Sequence, residues 1–199
     1  PGTELIPAWR ILQTLKQPND RSLRDHFYAC CDGLGIPDVR DALGKMLTVD
    51  YILANEDRHC NNFGCIRNAE SLEWLGFAPV FDSGTSLWYN RPSVGSRVES
   101  KPFRKGHEEQ IQLVEDLSWY DAQALSGLEE EINEIFSLSK EVDDSRRAAI
   151  GKAVMDRAGQ LERIQGKRKP SIHDALKENK RRMDDSTHVL TNEKSEPER

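Results

Sequence analysis

Residues 50–68 read DYILANEDRHCNNFGCIRN, and residues 77–88 read FAPVFDSGTSLW. The first stretch passes from an apolar helical pattern into a polar cluster and then into a short apolar run. Asp57 and Asn62 lie five positions apart in that cluster, and Asp82 directly follows the second apolar run. A short ribbon between the two stretches would bring Asp82 back beside the polar cluster.

Phosphoryl transfer needs a carboxylate to orient or deprotonate the attacking hydroxyl, and hard oxygen ligands for Mg²⁺ on the nucleotide phosphates. The catalytic loop of protein kinases places its Asp and Asn at the five-residue separation found between Asp57 and Asn62. A metal-binding triplet follows further along a kinase chain, and Asp82-Ser83-Gly84 occupies that place here. The combined pattern favours a kinase-like site.

The surrounding pattern is helical on both sides of one extended section. Asp20 and Ser22 offer N-caps to a helix that ends at Gly33 and Gly35. Apolar residues at three- and four-residue steps predict a helix of about 17 residues from Pro37 to Ala54. Two short apolar stretches, 63–66 and 76–81, predict a β-ribbon.

Residues 83–106 are rich in Gly, Ser, Pro and Arg, so we expect a long loop that is too polar to contribute to a core. The helical period returns from Glu108, and a last helix is predicted from about Asp143 to Ile164. The predicted fold class is α+β, mostly α. The small ribbon is expected to carry the polar loops.

The motif resembles the catalytic core of HipA-like serine/threonine kinases, whose loop reads Asn-x-Asp-x-His-x-x-Asn. The matching residues are Asn55, Asp57, His59 and Asn62. The Asp-Arg-His-x-x-Asn form also resembles the loop of phosphatidylinositol kinases. The resemblance covers roughly residues 1–165, and its specific motifs lie between residues 50 and 88.

This resemblance implies ATP/Mg²⁺-dependent phosphoryl transfer to a Ser or Thr hydroxyl of a protein substrate. It implies a protein-kinase-like C-terminal lobe with Asp57 as the catalytic base. Asn62 and Asp82 would hold Mg²⁺, and Ser83 and Gly84 would complete the cofactor-binding triplet. His59 is a second catalytic candidate, since it could accept the proton instead of Asp57.

Simpler interpretations remain for the same residues. Asp57 and Asn62 could cap a turn or a helix, as Asp and Asn often do in loops. His59 could bind the loop backbone as a structural residue. Cys60 and Cys65 could bind a metal, although their spacing lacks the second pair that a zinc site needs.

A kinase also needs a Gly-rich phosphate loop and a strand lysine. Gly33-Leu34-Gly35 is the only G-x-G, and the only lysines before Asp57 are Lys16 and Lys45, neither in a strand pattern. We therefore expect residues 1–165 to be a C-terminal lobe without an N-lobe, and the isolated chain to be inactive. The alternative is a non-catalytic kinase lobe that binds an antitoxin-like protein partner in a toxin–antitoxin-like assembly.

Charge and composition limit the possible partners. Residues 166–199 contain nine basic and seven acidic residues, so the net charge of −6 for the whole chain leaves −8 for residues 1–165. The acidic residues 1–165 argue against binding of nucleic acid, except through the basic tail at 166–199. We expect this tail to be disordered.

No run approaches the roughly 18 apolar residues of a membrane span. Four scattered cysteines fit a reducing, cytoplasmic setting.

Overall fold

A computed structural model describes residues 2–167 of the chain. The predicted charged tail lies outside these residues, apart from Gly166 and Lys167. The chain divides into two compact units, Pro1–Glu162 and Arg163–Arg199. None of the described helices is both long and apolar enough to cross a membrane.

The architecture combines helices with two small antiparallel sheets, which confirms the α+β class. The helices are α1 (Ala8–Ile11), α2 (Leu23–Leu34), α3 (Val39–Leu53), α4 (His107–Gln110), α5 (Leu128–Ser137) and α6 (Asp144–Lys167). The strands are β1 (Thr3–Pro7), β2 (Gly64–Asn68), β3 (Trp74–Phe77), β4 (Glu99–Ser100) and β5 (Lys105–Gly106). Short 3₁₀ helices cover Ile111–Leu113 and Ala122–Leu125.

Local capping signals set the ends of α2 and α3. The Ser22 side chain accepts a hydrogen bond from the Asp25 amide, and Gly35 ends α2 with a φ of 70°. Helix α3 begins at Val39, two residues later than predicted, because Asp38 has a φ of 56° and keeps Pro37 out of the helix. Ala54 ends α3 in the left-handed region and directs the chain into the polar loop.

The central sheet has the order β1-β2-β3, so the predicted ribbon has a third strand that the sequence did not indicate. Strand β1 pairs with β2 from Thr3↔Asn68 to Pro7↔Gly64. A Cβ at Gly64 would lie 2.2 Å from the Ile6 carbonyl oxygen, so only glycine permits this approach.

The second predicted strand, 76–81, is displaced towards the N-terminus of the chain. Strand β3 ends at Phe77, and residues 78–81 lie outside the sheet. Pro79 has no amide hydrogen for a strand ladder, which explains why pairing stops before it.

Aromatic contacts join the sheet to α2 at the end of the polar loop. The Phe27 and Phe63 rings pack edge to face with centroids 5.5 Å apart, and Phe63 stacks on Phe77 at 6.0 Å. Phe63 directly follows Asn62, so this packing fixes the point where the loop enters β2.

The prediction of a coreless loop at 83–106 is wrong. Trp88 is 2% exposed and Val98 is 1% exposed, and both belong to a buried cluster with Ala54. The Trp88 indole nitrogen donates to the Ser96 carbonyl at 2.8 Å, and β4 and β5 form a hairpin within this segment. The apolar residues are few and far apart in sequence, so no local period revealed them.

The helices after the hairpin follow the prediction only in part. Helices α5 and α6 are present, but the segment from Glu108 gives one turn of α-helix and then a 3₁₀ helix. Ile111, Val114 and Leu117 are buried at three-residue spacing. Only Ile111 lies in the 3₁₀ helix, and Val114 and Leu117 follow it outside helical structure.

Candidate active site

The polar loop of residues 55–62 is tied to the end of α3 by Asn55. The buried Asn55 amide nitrogen donates to the Asp50 carboxylate at 2.9 Å. Its side-chain oxygen accepts from the Asp57 amide at 3.2 Å and from the Thr85 hydroxyl at 3.0 Å. Asn55 thus fixes the backbone that presents Asp57.

Arg58 is the most buried charged residue of the loop. Its guanidinium forms two hydrogen bonds with the Asp50 carboxylate, each 2.9 Å long. The Arg58 side chain is 0% exposed and the Asp50 side chain is 2% exposed. A buried pair of this kind holds its geometry because separating it would leave an uncompensated charge.

The same guanidinium joins the two ends of the candidate site. Arg58 Nη1 donates to the Asn62 carbonyl at 2.6 Å and to the Phe81 carbonyl at 2.5 Å. Arg58 Nη2 also lies 3.3 Å from the Ser83 hydroxyl. The residues on each side of Asp82, Phe81 through its carbonyl and Ser83 through its hydroxyl, are therefore bound to the loop that carries Asp57 and Asn62.

The segment after Asp82 runs alongside the loop. The Glu56 amide donates to the Thr85 carbonyl at 3.2 Å, and the Leu87 amide donates to the Leu53 carbonyl at 2.8 Å. Asp82 is exposed and has a φ of 53°, and Gly84 is exposed as well. The structure thus brings the predicted triplet beside the predicted catalytic loop.

Asp57 is partly exposed and carries an ion pair. Its side chain is 32% exposed, and Lys101 Nζ lies 2.8 Å from its Oδ1 atom. The hydrogen bond from Lys101 lowers the pKa of Asp57 below its usual range, and burial acts in the opposite direction. Asp57 is therefore a carboxylate at neutral pH.

Asn62 and His59 both contact the loop itself. Asn62 Nδ2 donates to the Asp57 carbonyl at 3.0 Å. This bond uses the amide nitrogen of the Asn62 side chain and not its amide oxygen. His59 Nδ1 accepts from the Asn61 amide at 3.2 Å. This backbone contact is the one expected of a structural histidine.

The donor set suits a nucleotide-bound Mg²⁺ better than a metal held by protein alone. Within residues 2–167 no group of three His, Cys, Asp or Glu side chains could hold a metal ion. Mg²⁺ at nucleotide sites is bound through one or two carboxylates together with substrate phosphates. One carboxylate from Asp82 and one amide oxygen from Asn62 fit that requirement.

His107 is a site residue that sequence analysis missed. Its ring is 1% exposed, and Nε2 donates to the Asn55 carbonyl at 2.8 Å. Arg157 Nη1 lies 3.3 Å from His107 Nδ1, and burial with this nearby cation lowers the pKa of His107 to about 4. The ring is neutral, so Nδ1 accepts while Nε2 donates. No short motif could have revealed a contact across 52 positions.

Lys101 is the second missed residue. It lies in the segment expected to be a polar loop, and its pKa is raised by the hydrogen bond to Asp57. Its separation from Asp57 by 44 positions, with a hairpin between, leaves no local pattern to detect.

No family model and no curated protein matches this chain. Among solved structures, the Helicobacter pylori proinflammatory kinase CtkA is similar to it with a TM-score of 0.52. The sequence identity is 16%, and the alignment covers 83% of this chain and 71% of that chain. The fold is kinase-like. At this identity the similarity concerns the fold, and the HipA-like resemblance rests on the motif.

Proposed function

We propose that this chain carries the catalytic and metal-binding loops of an ATP/Mg²⁺-dependent protein kinase related to the HipA-like enzymes. The reaction would transfer a phosphoryl group to a Ser or Thr hydroxyl of a protein. One observation carries the proposal: the buried Arg58 guanidinium binds both the Asn62 carbonyl and the Phe81 carbonyl. A capping role for Asp57 and Asn62 would not require Asp82 to be held at the same loop.

The proposed roles follow from the contacts of each residue. Asp57 has a partly exposed carboxylate with a low pKa, so it can orient a substrate hydroxyl and accept its proton. Asn62 and Asp82 would hold Mg²⁺, and Ser83 and Gly84 would shape the backbone around it. Bound Mg²⁺ would neutralise charge that develops on the phosphates.

The buried network would keep these groups in position. Phosphoryl transfer depends almost entirely on positioning and electrostatics, so a misplaced carboxylate loses much of its effect. Asn55, Arg58 and His107 contact the loop backbone and are all buried. They would act as positioning residues.

Binding of Mg²⁺ with ATP to the full chain tests the proposal without requiring turnover. We expect the amide signals of residues 55–64 and 80–86 to shift before others. Asp82→Ala should remove this response and keep the helical circular dichroism. Asp20→Ala, at an exposed aspartate before α2, is the matched control. A response confined to other residues, or one that survives Asp82→Ala, would contradict the proposal.

A further inference from the structure

The turn between β4 and β5 concentrates positive charge next to Asp57. Lys101, Arg104 and Lys105 are exposed within five residues of sequence. Residues 1–165 together have a net charge of −8, so this turn contrasts with the body that carries it. Lys101 Nζ lies 2.8 Å from Asp57 Oδ1, which places one end of the turn directly at the candidate base.

Buried contacts hold the β4–β5 hairpin next to the loop of residues 55–62. Gln110 Nε2 donates to the Lys105 carbonyl at 3.1 Å, and Pro102 is buried. His107, two residues after Lys105, binds the Asn55 carbonyl at 2.8 Å. These contacts hold the positive turn at a constant place relative to the loop of residues 55–62.

The positive charges of the turn are only partly compensated. Lys101 is paired with Asp57, while Arg97, which precedes the hairpin, lies 3.9 Å from both Glu99 and Glu109. Within residues 2–167, neither Arg104 nor Lys105 forms a side-chain ion pair. These two exposed cations, in the same turn as Lys101, are therefore available to an external anion.

We propose that the turn of residues 101–105 binds acidic side chains that flank the phosphoacceptor of a peptide substrate, and that a substrate carboxylate takes Lys101 from Asp57. This inference rests on the proposed function, because it assigns the substrate class of the same site. While the Lys101 ammonium is bound to Asp57 Oδ1, it competes with a substrate hydroxyl for that atom. A nearby substrate carboxylate offers Lys101 an equivalent partner, so the exchange conserves an ion pair.

A peptide fits the charge distribution better than an anionic polymer or a membrane surface. The acidic body would repel an extended polyanion through long-range electrostatics, whereas a short acidic segment can contact the turn alone. The turn carries three cations, Lys101, Arg104 and Lys105. Their number and spacing suit a peptide in which a few carboxylates flank one hydroxyl.

Fluorescence anisotropy with the full chain and no nucleotide tests the inference. The probe is a short labelled peptide with a central serine flanked by glutamates, and matched peptides carry glutamine or lysine instead. We expect the glutamate peptide to bind about tenfold more tightly than the glutamine peptide, with affinity that falls as salt is added. The combined Arg104→Glu and Lys105→Glu variant should lose this preference. Lys140→Glu with Lys152→Glu, at exposed lysines elsewhere, should keep it.

The test separates this inference from the proposed function. Lys101→Gln should weaken glutamate-peptide binding, and Lys101→Arg should restore most of it. Equal binding of the glutamate and glutamine peptides, or binding only to phosphatidylserine vesicles, would overturn the inference. If the Mg²⁺–ATP response of residues 55–64 and 80–86 then persists, the proposed function stands. Absence of that response with the peptide preference intact would overturn the proposed function and, with it, the phosphoacceptor role of the peptide, while the turn would stand as an acidic-peptide binding surface.

Discussion

The Arg58 guanidinium and the Asp50 carboxylate form a buried ion pair through two hydrogen bonds of 2.9 Å. Asp50 lies in the last turn of α3, and Arg58 lies in the loop that follows. Because Arg58 also binds the Asn62 and Phe81 carbonyls, one side chain connects the helix, the loop and the segment before Asp82. Folding stability and site geometry therefore depend on the same pair.

Arg58→Met should lower the free energy of unfolding by about 3–5 kcal/mol, because it leaves the buried Asp50 carboxylate without its cation. Urea unfolding measures this change. Asp50→Leu combined with Arg58→Met should recover only part of the stability, because it removes both charges but leaves the buried Asn55 amide without its Asp50 acceptor. The double variant should still lose the Mg²⁺–ATP response at 80–86, because nothing then holds the Phe81 carbonyl.

The exposed pair between Arg40 and Asp32 is the matched control. Its side chains are 47% and 63% exposed, so Arg40→Met should change stability by less than about 1 kcal/mol. Equal losses in Arg40→Met and Arg58→Met would contradict the role assigned to burial.

Gly64→Ala should destabilise the protein by about 1–3 kcal/mol, because its Cβ would lie 2.2 Å from the Ile6 carbonyl oxygen. Thermal unfolding measures the loss, and amide exchange in β1 should rise. Gly159→Ala is the control, since it lies in α6 with no atom within 4 Å of the added Cβ. That substitution should be neutral or slightly stabilising. A stable Gly64→Ala protein would show that β1 does not pack against β2 as described.

Local interactions explain which elements could be predicted from the sequence. Ser22 and Gly35 cap α2 through bonds within a few residues, so their pattern is visible in the chain. The spacing of Asp57 and Asn62 is also local. The third strand was not predictable in this way, because β1 pairs with residues about sixty positions later and its five residues show no clear alternation.

The residues that hold the candidate site in place could not be predicted for the same reason. His107 contacts Asn55 across 52 positions, and Lys101 contacts Asp57 across 44 positions. Both come from the hairpin region, whose buried Trp88 and Val98 are separated by polar residues. A motif can indicate the residues that meet a nucleotide, but tertiary packing decides which side chains hold them.

Stability should fall as the pH decreases from about 6.5 to 4, owing to His107. Its pKa is about 4 in the folded protein, against an ordinary value of 6.5. The unfolded chain therefore takes up a proton in this range while the folded protein does not, and the cost reaches about 3 kcal/mol at the acid end. Urea unfolding at several pH values measures it.

His107→Gln isolates this contribution, because a glutamine amide can donate to the Asn55 carbonyl but does not titrate. The difference in unfolding free energy between wild type and His107→Gln should shrink as the pH falls through this window. Parallel pH profiles for the two proteins would rule out a titrating role for the buried ring.

Asp57→Asn should reduce the phosphoryl-transfer rate by about 10²–10⁴, because it removes a positioned base while keeping the shape of the side chain. The test uses the intact protein, with kinase rate, nucleotide affinity and thermal midpoint measured together. Nucleotide affinity should hold, since Asn62 and Asp82 are unchanged, and the midpoint should move little because the lost Lys101 pair is exposed. A cap would behave differently, since Asn caps about as well as Asp. Near-normal turnover would therefore eliminate Asp57 as the base and direct attention to His59.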